Sequence, residues 1–488
     1  MNMTKLTRTR RGAFLWTGIL AMAASPLAAQ TCQILGPQQT MIPGAQSFAV
    51  GDLNNDGKDD IAAVVGGNLE IYLSTGASFA PPVVVPAALG AVFIGDVNND
   101  GREDIIGFST NAHDVVVYLN HGDGTFGLGR PYRVGLNPAL IAIGDLNGDG
   151  FADLAVTIHG ATTLEDGQLA VLLNNGQGGF DPPQLYPTGL NPNGVVIADF
   201  NQDGHNDVAV VNYGYEFNNT SPYPGSAMIF TGSATGALSL SQAIQLGPQA
   251  GLATVGDFNG DGYPDIAVAV VNGNDQTPGV FSVLLNNRGS FGSVTDWPTG
   301  ASPAGIRVGD FNQDGYLDLA VTNSDVTADD IIIYFNDGTG NFTSSQTFYD
   351  GYAPAGVAVG DFNGDRKLDA AVFNAYTSNV SLFYSQLSRP TVNLTSSPNP
   401  SQTGQTVTLT AAVSVPILSG CVTAGGTVTF LDSGKPIWEP VALNNRDEAV
   451  VTDSTLTSGT HSLSARFKPA APSLVGRGIS NSVSQVVQ

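Results

Sequence analysis

Asp52-Leu53-Asn54-Asn55-Asp56-Gly57-Lys58-Asp59-Asp60 is the first of seven copies of one nine-residue pattern, D-x-N-x-D-G-x-x-D, each entered and left by a short apolar run. Oxygen-bearing side chains recur at positions 1, 3, 5 and 9. They are Asp52, Asn54, Asp56 and Asp60; Asp96, Asn98, Asp100 and Asp104; Asp145, Asn147, Asp149 and Asp153; Asp199, Asn201, Asp203 and Asp207. The last three copies supply Asp257, Asn259, Asp261 and Asp265; Asp310, Asn312, Asp314 and Asp318; Asp361, Asn363, Asp365 and Asp369. Hard oxygen donors at this density are what Ca²⁺ takes, at about 2.3–2.6 Å, so up to seven structural calcium ions are expected.

Position 7 reads Lys58, Arg102, Phe151, His205, Tyr263, Tyr316 and Lys367. No side-chain type is shared there, which leaves the backbone carbonyl as the ligand. An EF-hand requires flanking helices and a glutamate at position 12, where this chain has Ala63, Gly107, Val156, Val210, Val268, Val321 and Val372. The flanks, such as Gly356-Val357-Ala358-Val359 and Asp265-Ile266-Ala267-Val268-Ala269-Val270, are Val/Ile/Ala-rich and far below helix length, so each loop is read as a turn between two buried strands. A single such turn is equally compatible with a polar Asx turn holding no metal; seven copies in one register favour the metal. Position 6 is glycine in six copies and Arg366 in the seventh, where a left-handed backbone would cost about 1–2 kcal/mol, so that site is expected to be the weakest.

The formal net charge is −24, and three aspartates in each of seven loops account for half of the 42 acidic residues. Without a cation, each loop gathers like charges that a folded chain must carry. The acidic balance argues against nucleic acid as a partner, and no Lys/Arg patch contradicts it. Lys5, Arg8, Arg10 and Arg11 precede an apolar run from Gly12 to Ala24 and a small-residue site ending at Gln30, the pattern of an export signal over 1–29. The run is shorter than the roughly 20 residues of a membrane span, so a secreted or cell-surface protein without membrane insertion, and a monomer, is expected. Cys32 and Cys421 are the only cysteines. In an oxidising compartment they could pair as a disulfide or remain two free thiols.

The loops start 44 to 58 residues apart, a spacing that signals a solenoid or propeller. Within a period a strand, a loop, a second strand, a variable connection, a third strand often ending in Leu-Asn or Phe-Asn, a Gly-rich hairpin and a fourth strand recur. The hairpins include Asn120 to Phe126, Asn174 to Phe180 and Asn336 to Phe342. Four strands per period make a propeller blade.

On these loops and Gly-x-Gly-x-Phe hairpins the chain resembles the FG-GAP and VCBS repeats of integrin α-chain propellers, fungal lectins and many secreted bacterial proteins. The resemblance implies an all-β, seven-bladed β-propeller over 30–388. Its last repeat supplies three strands, and residues 32–43 are read as the fourth, outer strand of blade seven. From 389 to 488 the loops stop and Thr/Val/Ser alternation begins, with strands at Thr391–Leu394, Gln405–Ala412, Gly426–Phe430, Ala449–Thr452 and His461–Phe467. This tail resembles bacterial Ig-like β-sandwiches, which implies a spacer or adhesive module.

No histidine pair has metal-ligand spacing and no nucleophile elbow is present, so no catalytic residue is assigned. Function is sought in the insertions. The connections between second and third strands are long in blades three to five and lie on the rim opposite the loops. They carry His159, Glu165, Asp166, Tyr213, Tyr215, Glu216, Phe217, Tyr223, Asn274 and Asp275. Aromatic faces beside carboxylates and amides suit a glycan or a protein loop, with His159, Tyr213, Tyr215, Glu216, Phe217 and Tyr223 as candidate ligand-binding residues; the competing reading is that they pack the insertion onto its neighbours. The expected function is a non-catalytic binding or adhesion module for extracellular glycans or proteins. The alternative is a lyase-like polysaccharide-degrading enzyme on the raised rim, a use to which some proteins with similar repeats are put.

Overall fold

The computed structural model describes residues 33–110, 113–162, 165–176, 179–217, 220–272, 278–324, 329–350, 353–387, 390–414, 425–470 and 477–488, with the backbone alone for residue 40 and residues 215–217 and 220–222. The leader at 1–29, Cys32, Cys421, Asn274 and Asp275 lie outside the described residues, and so does the pairing of the cysteines.

Every regular element among the described residues is a strand. Each loop joins an inner strand to a second strand, as between Ala45–Gly51 and Asp60–Val65. Seven antiparallel four-stranded sheets result, six of them in simple chain order. The second strands are continuous apolar runs because both their faces are covered by neighbouring sheets: Asp153–Ile158 and Asp265–Val271 are buried at every residue. The fourth strands face outward, and Val83–Val85 and Ser239–Gln245 are largely exposed.

Hydrophobic burial closes these sheets into a ring. Seven core clusters lie one in each gap between consecutive sheets, and one of them joins the seventh sheet to the first through Ile61, Ala63, Phe362, Ala371 and Leu382. Position 2 of each loop plugs the gap to the next sheet: Leu53, Val97, Leu146, Phe200, Phe258, Phe311 and Phe362 are all at most 1% exposed. In blades five and six the hairpin phenylalanine meets the preceding plug edge-on. Phe291 lies 5.3 Å from Phe200 and Phe342 5.7 Å from Phe258, ring centre to ring centre.

The seventh sheet is completed from the other end of the chain. Gln39–Met41 pairs antiparallel with Val380–Leu382 as its outer strand, and the Gly36 amide donates to the Tyr384 carbonyl at 2.7 Å. Ile34, Leu35 and Ile42 are buried beside it. The sequence expectation that residues 32–43 close the ring therefore matches the observed pairing.

After residue 390 a three-stranded sheet, Thr391–Ser397, Val407–Ser414 and Glu448–Asp453, faces a six-stranded one built on Gly426–Asp432 and Gly459–Pro469. Val392, Leu409, Phe430, Leu463 and Phe467 are among the residues that fill the space between them. Val483–Val487, which the sequence reading left without a strand, pairs with the start of Gly459–Pro469.

Candidate functional site

The seven loops share one backbone. Position 6 is left-handed throughout, with φ between 79° and 89° at Gly57, Gly101, Gly150, Gly204, Gly262 and Gly315, and 62° at Arg366. Position 4 is left-handed too, at Asn55, Asn99, Gly148, Gln202, Gly260, Gln313 and Gly364. In all seven, the position-6 amide donates to the position-1 carboxylate at 2.6–2.9 Å. The position-5 amide donates to the position-3 asparagine oxygen at 2.8–3.0 Å. The position-7 amide donates to the position-5 carboxylate at 2.9–3.0 Å. Arg366 thus adopts the strained conformation that glycine tolerates elsewhere.

Position 9 has a second task. Each of Asp60, Asp104, Asp153, Asp207, Asp265, Asp318 and Asp369 is at most 1% exposed. One oxygen accepts from the position-2 amide at 2.8–3.2 Å. The other accepts at 2.6–3.0 Å from an amide at or just beyond the end of the third strand. Burial pushes these carboxyls up, to about 6 in Asp104, Asp153 and Asp265, about 7 in Asp60 and Asp369 and about 8 in Asp318.

The asparagine after the third strand, visible in the sequence as Leu-Asn or Phe-Asn, stitches blade to blade. The side-chain amides of Asn120, Asn174, Asn286 and Asn336 donate to the carbonyls of Leu53, Val97, Phe200 and Phe258, each the plug residue of the preceding loop. Blade four has Gly232 at this place, and Asn206 instead donates to the Asp145 carbonyl at 2.7 Å. Across the ring closure, the Asp59 amide donates to the Asp361 carbonyl at 3.0 Å while the Asp361 amide donates to the Asp59 carboxylate at 2.6 Å. Asn336→Ala leaves the buried Phe258 carbonyl and the half-buried Leu317 carbonyl without its amide. It should cost about 2–3 kcal/mol, read as a fall in melting temperature that exposed Asn341→Ala does not produce.

The donor set of each loop, three carboxylates and one carboxamide oxygen on a recurring backbone, has the chemistry of a hard divalent-cation site. Among the described residues, no three carboxylate, imidazole or thiol side chains converge as a metal cluster. The position-1 and position-5 carboxylates are turned onto the loop's own amides. Cations contact position 5 in three loops, Lys58 on Asp56 at 2.9 Å, Lys367 on Asp365 at 2.8 Å and Arg102 near Asp100 at 3.8 Å.

On the opposite rim the blade-four insertion forms a hairpin, Tyr215–Phe217 with Thr220–Tyr223, in which Tyr215 and Tyr223 are cross-strand partners. Tyr223 is 52% exposed, and the Tyr213 amide donates to the Asn191 carbonyl at 2.9 Å. His159 is half-buried. Burial holds its pKa below the ordinary histidine value, with the Pro192 backbone opposing the shift, and its Nε2 is buried without a hydrogen-bond partner. It therefore sits in the seam between blades three and four.

The FG-GAP-like repeat model matches residues 52–107, 96–156, 158–210, 257–321 and 310–372, more than half of the chain. The chain belongs to the FG-GAP-like repeat family. A bacterial Ig-like domain model (group 3) matches 394–488. Integrin alpha-4 of Xenopus laevis is 29% identical over 148 residues, which are 27% of this chain and 14% of that protein. The FG-GAP chain is also similar to the structure of an Agrocybe aegerita lectin recognising non-reducing terminal N-acetylglucosamine, with 20% identity, 64% of this chain and 80% of that one covered, and a TM-score of 0.44. BBS1N in complex with ARL6DN gives 12% identity over 72% of this chain and 96% of that one, with a TM-score of 0.49. The FG-GAP ring meets the Ig-like domain at the sixth loop, where Lys468 Nζ lies 3.9 Å from the centre of the Tyr316 ring and Arg477 packs on Gly315. Asn312 and Asp314 of that loop are buried.

Proposed function

We propose that this FG-GAP propeller is an exported, calcium-stabilised binding module whose ligand, an extracellular glycan or protein, docks on the rim opposite the loops. The observation that carries the reading is the division of labour between the two rims. One rim repeats a single hydrogen-bonded loop seven times, and the other concentrates its variation in blades three to five. Calcium would be held in each loop by positions 1, 3, 5 and 9 with the position-7 carbonyl, after the position-1 and position-5 side chains turn from the loop amides toward the ion. Its chemistry there is neutralisation of clustered carboxylates. Seven ions would bring the net charge to about −10.

The test is retention of the mature protein on a panel of immobilised polysaccharides and extracellular-matrix proteins, with and without EGTA, with the supernatant assayed for released sugar. Calcium-dependent retention without release is expected. Replacing Tyr215 and Phe217 together by alanine should abolish retention and leave the melting temperature unchanged; a fall in melting temperature with retention intact would assign these aromatics to packing.

A further inference from the structure

The inner strands of the ring enclose a cavity of about 540 Å³ lined from six of the seven blades. Its walls combine apolar side chains, Phe48, Val50, Phe93, Ile143 and Val359 among them, with polar surface that includes Gln46 and Ser47, and Arg307 is the single charged residue that lines it. Arg307 stands three residues before the first aspartate of the sixth loop. The same place in the other blades holds Ala49, Phe93, Ala142, Val196, Thr254 and Ala358. A ring of near-equivalent strands therefore carries one cation at its centre.

Among the described residues, nothing neutralises that cation. The Arg307 Nη1 donates to the neighbouring Ile306 carbonyl at 2.9 Å, and no ion pair among the described residues involves it. Although its side chain is exposed, the surface it is exposed to is the cavity. A guanidinium has five N–H donors in a planar fork, so four remain for a ligand, and a carboxylate accepts two of them in parallel. The inner strands around the group desolvate it enough to lower its pKa from the ordinary arginine value, although its side chain keeps free surface toward the cavity.

We propose that the central channel is a ligand site for a monocarboxylate with an apolar or aromatic body, the carboxylate paired with Arg307 and the body against Phe48 and Phe93. A single cation inside a protein of net charge −24 selects a monoanion over a polyanion. Phe48 and Phe93 offer an apolar surface for the ligand's body, and the cavity is within the size range of small-molecule sites. The proposal is independent of calcium and of the raised rim. Two sources share this chemistry, a free aromatic acid and the C-terminal carboxylate of a chain ending in an aromatic residue.

Calorimetric titration of the calcium-loaded mature protein separates them, using benzoate and a short acetylated peptide ending in phenylalanine, with benzamide and the C-terminally amidated peptide as uncharged controls. Saturable binding of one or both acids, with a dissociation constant of about 1 mM or tighter, is expected, and the uncharged controls should fail. Benzoate binding alone assigns a free acid; binding of the free-carboxylate peptide assigns a chain terminus. Arg307→Gln should weaken binding at least about tenfold, and Arg307→Lys, which keeps the charge but loses the fork, by less. Neither substitution removes an ion pair, so the melting temperature should hold. Absence of saturation by either acid up to about 10 mM, or equal affinity in wild type and Arg307→Gln, overturns the site.

Discussion

Excess EGTA is expected to lower the melting temperature of the mature protein by about 10 °C or more at neutral pH. A ligand present at ten times its dissociation constant and binding only the folded state stabilises it by about 1.4 kcal/mol per site. Seven loops in one closed ring would add about 10 kcal/mol, and a domain of this size shifts by at least about 1 °C per kcal/mol. The pH dependence sharpens the test. Burial raises the folded-state pKa of Asp318 to about 8 and of Asp60 and Asp369 to about 7, with Asp104, Asp153 and Asp265 at about 6, against about 3.9 in an unfolded chain. Between those values the folded state binds more protons than the unfolded state, so stability falls as pH rises from about 4 toward 8. The chelated protein should therefore melt higher at pH 5 than at pH 8. Calcium favours the ionised carboxylates and should flatten or reverse that slope. Superimposable melting curves with and without EGTA at both pH values would sink the calcium reading.

Deleting residues 31–43 should leave a protein that misfolds or aggregates, or melts at least about 10 °C lower. Ile34, Leu35 and Ile42 are each at most 3% exposed, and their burial alone is worth roughly 6 kcal/mol. The deletion also removes the pairing of Gln39–Met41 with Val380–Leu382 and exposes the edge of Asn379–Phe383 to other chains. The milder double change Ile34→Ala with Leu35→Ala keeps the backbone strand and should cost about 4–8 kcal/mol. A deletion variant that melts with the full-length protein would show that the ring does not depend on this closure.

The repeat was legible because its chemistry is local. Left-handed turns at positions 4 and 6 and side-chain oxygens at 1, 3 and 5 satisfy one another within nine residues, so the pattern is written contiguously. The strand before residue 43 was legible for a similar reason, since the last repeat lacked one strand and the chain's start offered one. Asn120, Asn174, Asn286 and Asn336 were visible as a recurrence without a role. Their partners lie 67 to 86 residues away in the preceding loop, and nothing local marks them. Position 9 was assigned as a ligand on spacing alone, whereas its two oxygens also hold the loop base and the next hairpin. The candidate face was legible only as an excess of length in blades three to five and of aromatics in blade four. His159, grouped with that face in the sequence, is half-buried, and its Nε2 is without a hydrogen-bond partner.

By itself the sequence determined the all-β repeat, the number and chemistry of the loops, and the change of domain near residue 390, because each is a short-range pattern of donors, turns and alternation. Only the tertiary structure decided which blade's asparagine reaches which loop, that Phe362 packs against Ile61 to close the ring, and that Arg307 is alone inside it. Those depend on bringing residues from 67 positions to about 300 positions apart into one circle, and a lone arginine in an apolar strand reads the same whether it faces bulk solvent or an axis.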